Sequence, residues 1–92
     1  MAPRWTQSSE KHGLNRRDQM YAIIHATYRA TLPGEGFDDG VVTLYIGPQH
    51  PQTEREIEVL VNVYGDGRES VVFHAMHLGP KFYRYREENP HD

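Results

Sequence analysis

The stretch Glu54-Arg-Glu-Ile-Glu-Val-Leu-Val-Asn-Val-Tyr64, then Gly65-Asp-Gly67, then Glu69-Ser-Val-Val-Phe-His-Ala-Met-His77 decides the fold. Both runs are rich in β-branched residues and read as strands, and Asp66-Gly67 between them is a strong hairpin signal. The second strand therefore folds back antiparallel to the first. With Gly65 opposite Arg68, one face pairs Val63 with Ser70, Val61 with Val72, Val59 with His74 and Ile57 with Met76. The other pairs Glu56 with His77, Glu58 with Ala75, Leu60 with Phe73 and Asn62 with Val71. A shift of one residue exchanges all these partners.

Working outward, Val41 to Ile46 reads as another strand, broken by Gly47-Pro48-Gln-His-Pro51. The run Thr27-Tyr-Arg-Ala-Thr-Leu32 reads as a strand that ends at Pro33-Gly34, and the polar loop 35–40 follows it. Before it, Asn15 starts a helix from about Arg16 to Ala26, with Asp18 in its first turn. Its apolar stripe, Met20, Ile23 and Ile24, is expected to bury itself against Ile57, Val59 and Val61. Ser8 to His12 forms a short helical turn ended by Gly13. After the hairpin, Gly79-Pro80 ends the strand and sets Lys81 at the opening of a last helix. The expectation is one α+β domain: N-terminal helices packed on an antiparallel sheet of three to four strands, with a short C-terminal helix. Its core covers about residues 8–86, and 87–92 form an acidic tail.

Composition agrees with a single folded unit. The chain has 92 residues, 37% hydrophobic and 25% charged, which suits one domain with a modest core. No run approaches the roughly 18 apolar residues of a membrane span, and Met1-Ala-Pro-Arg-Trp5 lacks the apolar stretch of a signal peptide. No membrane partner is expected, and a cytoplasmic location is. With no cysteine, disulfides, thiolate metal sites and thiol nucleophiles are excluded. The formal charge is −3, unevenly spread: residues 1–34 and 71–86 each carry +3, 35–70 carry −6, and the tail −3. Two basic segments that meet in space would form a phosphate-attracting surface.

The end of the chain gathers the chemistry. His74, His77, Lys81 and Arg84, with several tyrosines, surround one strand-to-helix junction, which suits proton transfer and phosphate binding without a cofactor. The six histidines do not spell a metal site. His74-x-x-His77 on a strand points to opposite faces, and no HExxH-like spacing occurs. Gly34-Glu-Gly36 and Gly65-Asp-Gly67 belong to turns and open no helix, so no nucleotide loop is expected.

Five segments in order carry a resemblance. Lys11-His12-Gly13 precedes an amphipathic helix. Leu44-Tyr-Ile-Gly47 and Ile57-Glu-Val-Leu-Val61 follow, then a glycine-containing hairpin, and finally Phe73-His-Ala-Met76 with Pro80-Lys-Phe-Tyr-Arg-Tyr85. Together they resemble BrnT-type toxins of type II toxin–antitoxin pairs, and more closely the actinobacterial relatives of that family, which tend to read His-Ala-Met where BrnT-type chains read Ser-Ala-Arg. The resemblance covers roughly residues 8–86. It implies a RelE-like fold, endoribonuclease activity and neutralisation by a small DNA-binding antitoxin.

A metal-independent RNase needs a base for the 2′-hydroxyl proton, an acid for the leaving 5′-oxygen, and cations for the charge growing on phosphate. His74 or Glu58 are the candidate bases, His77 or Lys81 the candidate acids, and Lys81 with Arg84 the electrostatic pair. Tyr83, Tyr85 and Arg86 complete an RNA-binding surface in which a tyrosine stacks on a base. His12 is a secondary candidate. Each has a plainer role: His74 a core histidine, Glu58 a solvated residue or a partner for the basic tail, Lys81, Arg84 and Arg86 a solvated helix face, His12 a helix cap. The competing function is a non-catalytic protein-interaction domain that keeps the RelE-like fold.

Overall fold

The computed structural model describes residues 3–90; positions 1–2 and 91–92, with the end of the acidic tail at Asp92, lie outside the described residues. The elements run β1 (Arg4–Trp5), a 3-10 turn (Gln7–Glu10), α1 (Arg16–Ile24), β2 (Tyr28–Leu32), β3 (Val41–Pro48), β4 (Glu56–Val63), β5 (Val71–His77) and α2 (Pro80–Glu88). The class is α+β, as expected. The sheet has five strands in the order β1-β5-β4-β3-β2. Strands β2 to β5 pair antiparallel. β1 adds a parallel pair to β5, so the sheet is mixed. A two-residue strand has no readable periodicity; β1 is held by Arg4 N–H to the Ser70 carbonyl at 2.8 Å and Thr6 N–H to the Val72 carbonyl at 3.0 Å. Among the described residues no helix is long and apolar enough to cross a membrane.

Central β4 is buried on both faces. Ile57, Val59 and Val61 pack with Leu14, Ala22, Val72 and Ala75 beneath α1. On the opposite face Leu60 joins Leu44, Ile46 and Ala30, and there Phe82 and Tyr85 of α2 close the layer. The molecule is therefore a sheet between two short helices.

Two expectations about detail are corrected. Asn15 does cap α1, its side chain accepting from Asp18 N–H at 2.8 Å. The face that α1 buries, however, is Gln19 and Ala22, with Met20 and Ile23 half-buried and Ile24 68% exposed. The reason is close approach: a Cβ on Gly47 would lie 2.5 Å from the Ala22 carbonyl oxygen and 3.1 Å from Ala26 Cα. Backbone lies on backbone there, and large side chains are displaced to the flank. Buried Gln19 is accommodated because its amide donates to the Ser9 and Leu14 carbonyls at 3.0 and 2.9 Å.

The hairpin register holds at the turn end, with Val61 opposite Val72 and Asn62 opposite Val71, and then shifts between Leu60 and Val61. Beyond the shift Leu60 faces His74, Val59 faces Ala75, Glu58 faces Met76 and Ile57 faces His77. Phe73 is the extra residue of a β-bulge. Its carbonyl accepts from Ser8 Oγ at 2.8 Å and its ring meets Phe37 edge-on at 5.2 Å. The bulge turns His74 from the α1 face, where the regular register put it, to the α2 face.

Candidate functional site

On that face His74 meets Glu58. One strand supplies each residue, and the bulge sets them diagonally across β4 and β5. His74 Nε2 lies 2.8 Å from Glu58 Oε2, and Gly79 N–H donates to Glu58 Oε1, also at 2.8 Å. The Glu58 side chain is 4% exposed and that of His74 23% exposed, so the carboxylate is buried while the imidazole reaches solvent. Glu58 is thus neither a solvated strand residue nor a partner of the basic tail. A buried carboxylate is costly unless fully hydrogen-bonded. Here both oxygens have partners, and the N-terminus of α2, capped by Gly79 with Pro80 as its first residue, presents its positive dipole end to the carboxylate.

The pair opens on a groove of about 370 Å³, walled by Leu60, Met76 and Phe82 and reached by Lys81 and Glu35. Lys81 is exposed, with its ammonium 5.2 Å from the Phe82 ring. Among the described residues neither Lys81 nor Arg84 forms an ion pair. His12, weighed from sequence as a helix cap, stands edge-on to His74 with ring centroids 5.8 Å apart. Glu58, His74 and Lys81 are therefore brought together, with His12 beside them.

The remaining candidates are dispersed. His77 lies opposite Ile57 on the α1 face, where burial, and then the charge of Arg55, push its pKa below the ordinary histidine value. Tyr83 is 53% exposed and Arg84 is exposed, both on the outside of α2. Tyr85 packs against the core. Arg86 is engaged, donating to both oxygens of Glu56 at 2.8 and 3.2 Å, and this carboxylate raises its pKa. Residues 71–86 contain no acid of their own, and the partner of Arg86 comes from β4.

Sequence reasoning passed over two contributors. Glu35 was only part of a polar loop, yet the turn at Gly34, with φ +79°, carries it to the groove. The Gly79 amide left no side-chain signal at all. Among the described residues no three His, Asp or Glu side chains converge as a metal-binding group. What the arrangement offers chemically is an oriented imidazole, a buried carboxylate that fixes it, and a free cation across an apolar groove. No protein-family model, curated protein or solved structure matches this chain.

Proposed function

We propose that this chain is a metal-independent endoribonuclease, the toxin of a type II toxin–antitoxin pair with a RelE-like arrangement. The observation that carries the reading is the Glu58–His74 pair facing the groove that Lys81 reaches. Because the Glu58 carboxylate accepts at Nε2, that nitrogen holds the ring proton and Nδ1 keeps its lone pair. Nδ1 takes the proton of an RNA 2′-hydroxyl, and O2′ forms a bond to the adjacent phosphorus. The P–O5′ bond breaks, the Lys81 ammonium gives its proton to the departing oxygen, and the products are a 2′,3′-cyclic phosphate and a 5′-hydroxyl. Arg84, one turn after Lys81 on the exposed side of α2, attracts a flanking phosphate of the RNA, and exposed Tyr83 offers a ring to a base outside the groove. An antitoxin that covers Lys81, Arg84 and Tyr83 silences the enzyme, and tyrosine and arginine are the residue types that anchor such contacts.

One observation favours the second reading, a non-catalytic interaction domain. The Gly79 amide on Glu58 also pins α2 to the sheet, a purely structural use of the pair. Purified protein with single-stranded RNA separates the two. The nuclease reading expects cyclic-phosphate ends, indifference to EDTA, and a loss of about 10²–10⁴-fold in rate for His74→Ala, with Lys81→Ala also impaired and folded. Full activity in both variants, or activity abolished by EDTA and restored by a divalent ion, would sink it.

A further inference from the structure

The loop that brings Glu35 to the Glu58–His74 groove is fixed on both sides of that residue. Before it, Leu32-Pro33-Gly34-Glu35 closes through Glu35 N–H to the Leu32 carbonyl at 3.4 Å, with Gly34 at φ +79°. Proline second and glycine third is the pattern of a type II turn, since the proline ring presets the first central φ and glycine takes the positive one without a Cβ clash. After it, the Asn62 side chain clamps the chain at Phe37. Asn62, fully buried in β4, accepts from Phe37 N–H at 3.4 Å and donates to the Phe37 carbonyl at 3.0 Å. The Phe37 ring stands edge-on to Phe73. Glu35 is thereby held at the rim of the groove, exposed and, among the described residues, in no ion pair.

Leu60, Met76 and Phe82 line the rest of the groove, together with the Glu58–His74 pair. Apolar walls with a thioether among them suit the flat face of an aromatic ring. At about 370 Å³ the space is at the small end of ligand sites and takes one planar base. An ionised carboxylate only accepts hydrogen bonds, so it matches an edge that carries two adjacent N–H donors. Among the four RNA bases guanine alone has such an edge, N1–H beside the N2 amino group. Adenine and cytosine set an amino group beside a bare ring nitrogen, and uracil sets N3–H between two carbonyls. Each of these turns a lone pair toward the carboxylate.

We infer that the groove is a guanine subsite, in which the Glu35 carboxylate accepts from N1–H and the N2 amino group while the ring lies along Leu60 and Met76. The inference rests on the nuclease reading and names its substrate. The groove adjoins His74, so the base it holds belongs to the ribose whose 2′-hydroxyl His74 deprotonates. The bond cut is therefore the one on the 3′ side of a guanosine.

Deoxyuridine pentamers with a single ribonucleotide at the centre test it, because only the bond after that ribonucleotide can be cut. With the wild type, kcat/KM should be about tenfold or more higher for central guanine than for adenine, cytosine or uracil, and inosine, which lacks the N2 amino group, should fall between. Glu35→Ala should bring guanine down to the level of the others with the urea unfolding curve unchanged, since the side chain is exposed. Glu35→Gln should move the preference toward adenine, whose N1 and N6 amino group match an amide. Cleavage at equal rates after all four bases, unaltered by Glu35→Gln, would overturn the guanine subsite and leave the nuclease standing. Absence of cleavage would overturn the nuclease reading instead, and the same pentamers with a deoxynucleotide at the centre would still decide the subsite by fluorescence anisotropy. Tighter binding of guanine that Glu35→Gln abolishes would support it; equal binding of all four bases would overturn it.

Discussion

On one face of the sheet α2 is tied to the strands by polar groups along its length, while on the other α1 meets the sheet chiefly by close backbone approach and apolar packing, with Gln49 to Asp18 its polar tie beyond the N-terminal segment. Glu58 takes the Gly79 amide at the start of α2, Glu56 takes Arg86 near its end, and Tyr28 Oη donates to the Asn89 carbonyl at 2.6 Å just beyond it. α1 depends on Gly47 and on the small residues Ala22 and Ala26. The polar attachment places an ionisable pair at a groove and lets it reach solvent, whereas the close approach carries no chemistry and leaves the larger side chains of α1 uncovered. The comparison teaches that the candidate site and the open apolar surface have one origin, two helices too short to cover the sheet faces they pack on.

The largest effect on this comparison should come from Gly47→Val. Overpacking a core costs about 1–3 kcal/mol, and here the obstruction is backbone that cannot turn aside, so the upper end is expected in urea unfolding. Hydrogen exchange should show α1 amides losing protection while those of α2 keep theirs. Equal loss in both helices would mean that the faces are a single cooperative unit, and the contrast would fail.

Arg86→Ala makes the reciprocal change. The ion pair with Glu56 is bidentate, with side chains 23% and 32% exposed, so solvent screens it only in part and about 1 kcal/mol is expected. Amides at the C-terminal end of α2 should exchange faster, with α1 untouched. No change at all would assign the anchoring of the C-terminal end of α2 to its apolar packing and the Tyr28–Asn89 bond.

The smallest effect belongs to His77, the titratable group that burial depresses on the α1 face. Above the ordinary histidine value of about 6.5 the residue is neutral in the folded and unfolded chain alike. As pH falls through that value, the unfolded chain takes up a proton that the folded one resists, and stability declines until the lower folded pKa is passed. The wild-type melting temperature should therefore drop more steeply between about pH 7 and 5 than that of His77→Leu. Parallel slopes would show that His77 titrates as it does in the unfolded chain.

Much of the fold was legible. Asn15 marked its helix, Gly79-Pro80 the start of α2, and Asp66-Gly67 the hairpin, because caps and turns are decided by local backbone chemistry within a few residues. The residues of the candidate site were legible too, since Glu58, His74 and Lys81 are unusual side chains at a strand and a helix start. Their meeting was not. In the regular register His74 belonged with Val59 on the α1 face, and one inserted residue, Phe73, carried it across.

The sequence by itself determined the element types, the α+β class and the presence of His and Lys near one junction, because periodicity and turn chemistry act locally. Only the tertiary structure decided which face each side chain took. The bulge at Phe73 exists because Ser8 and Phe37, far away in the chain, satisfy its carbonyl and its ring. The burial of Gln19 in place of Ile24 follows from Gly47 meeting Ala22 across the fold. Engagement of Arg86 needed Glu56, thirty residues away. Each of these is a contact between distant segments, and no local pattern encodes which distant partner arrives.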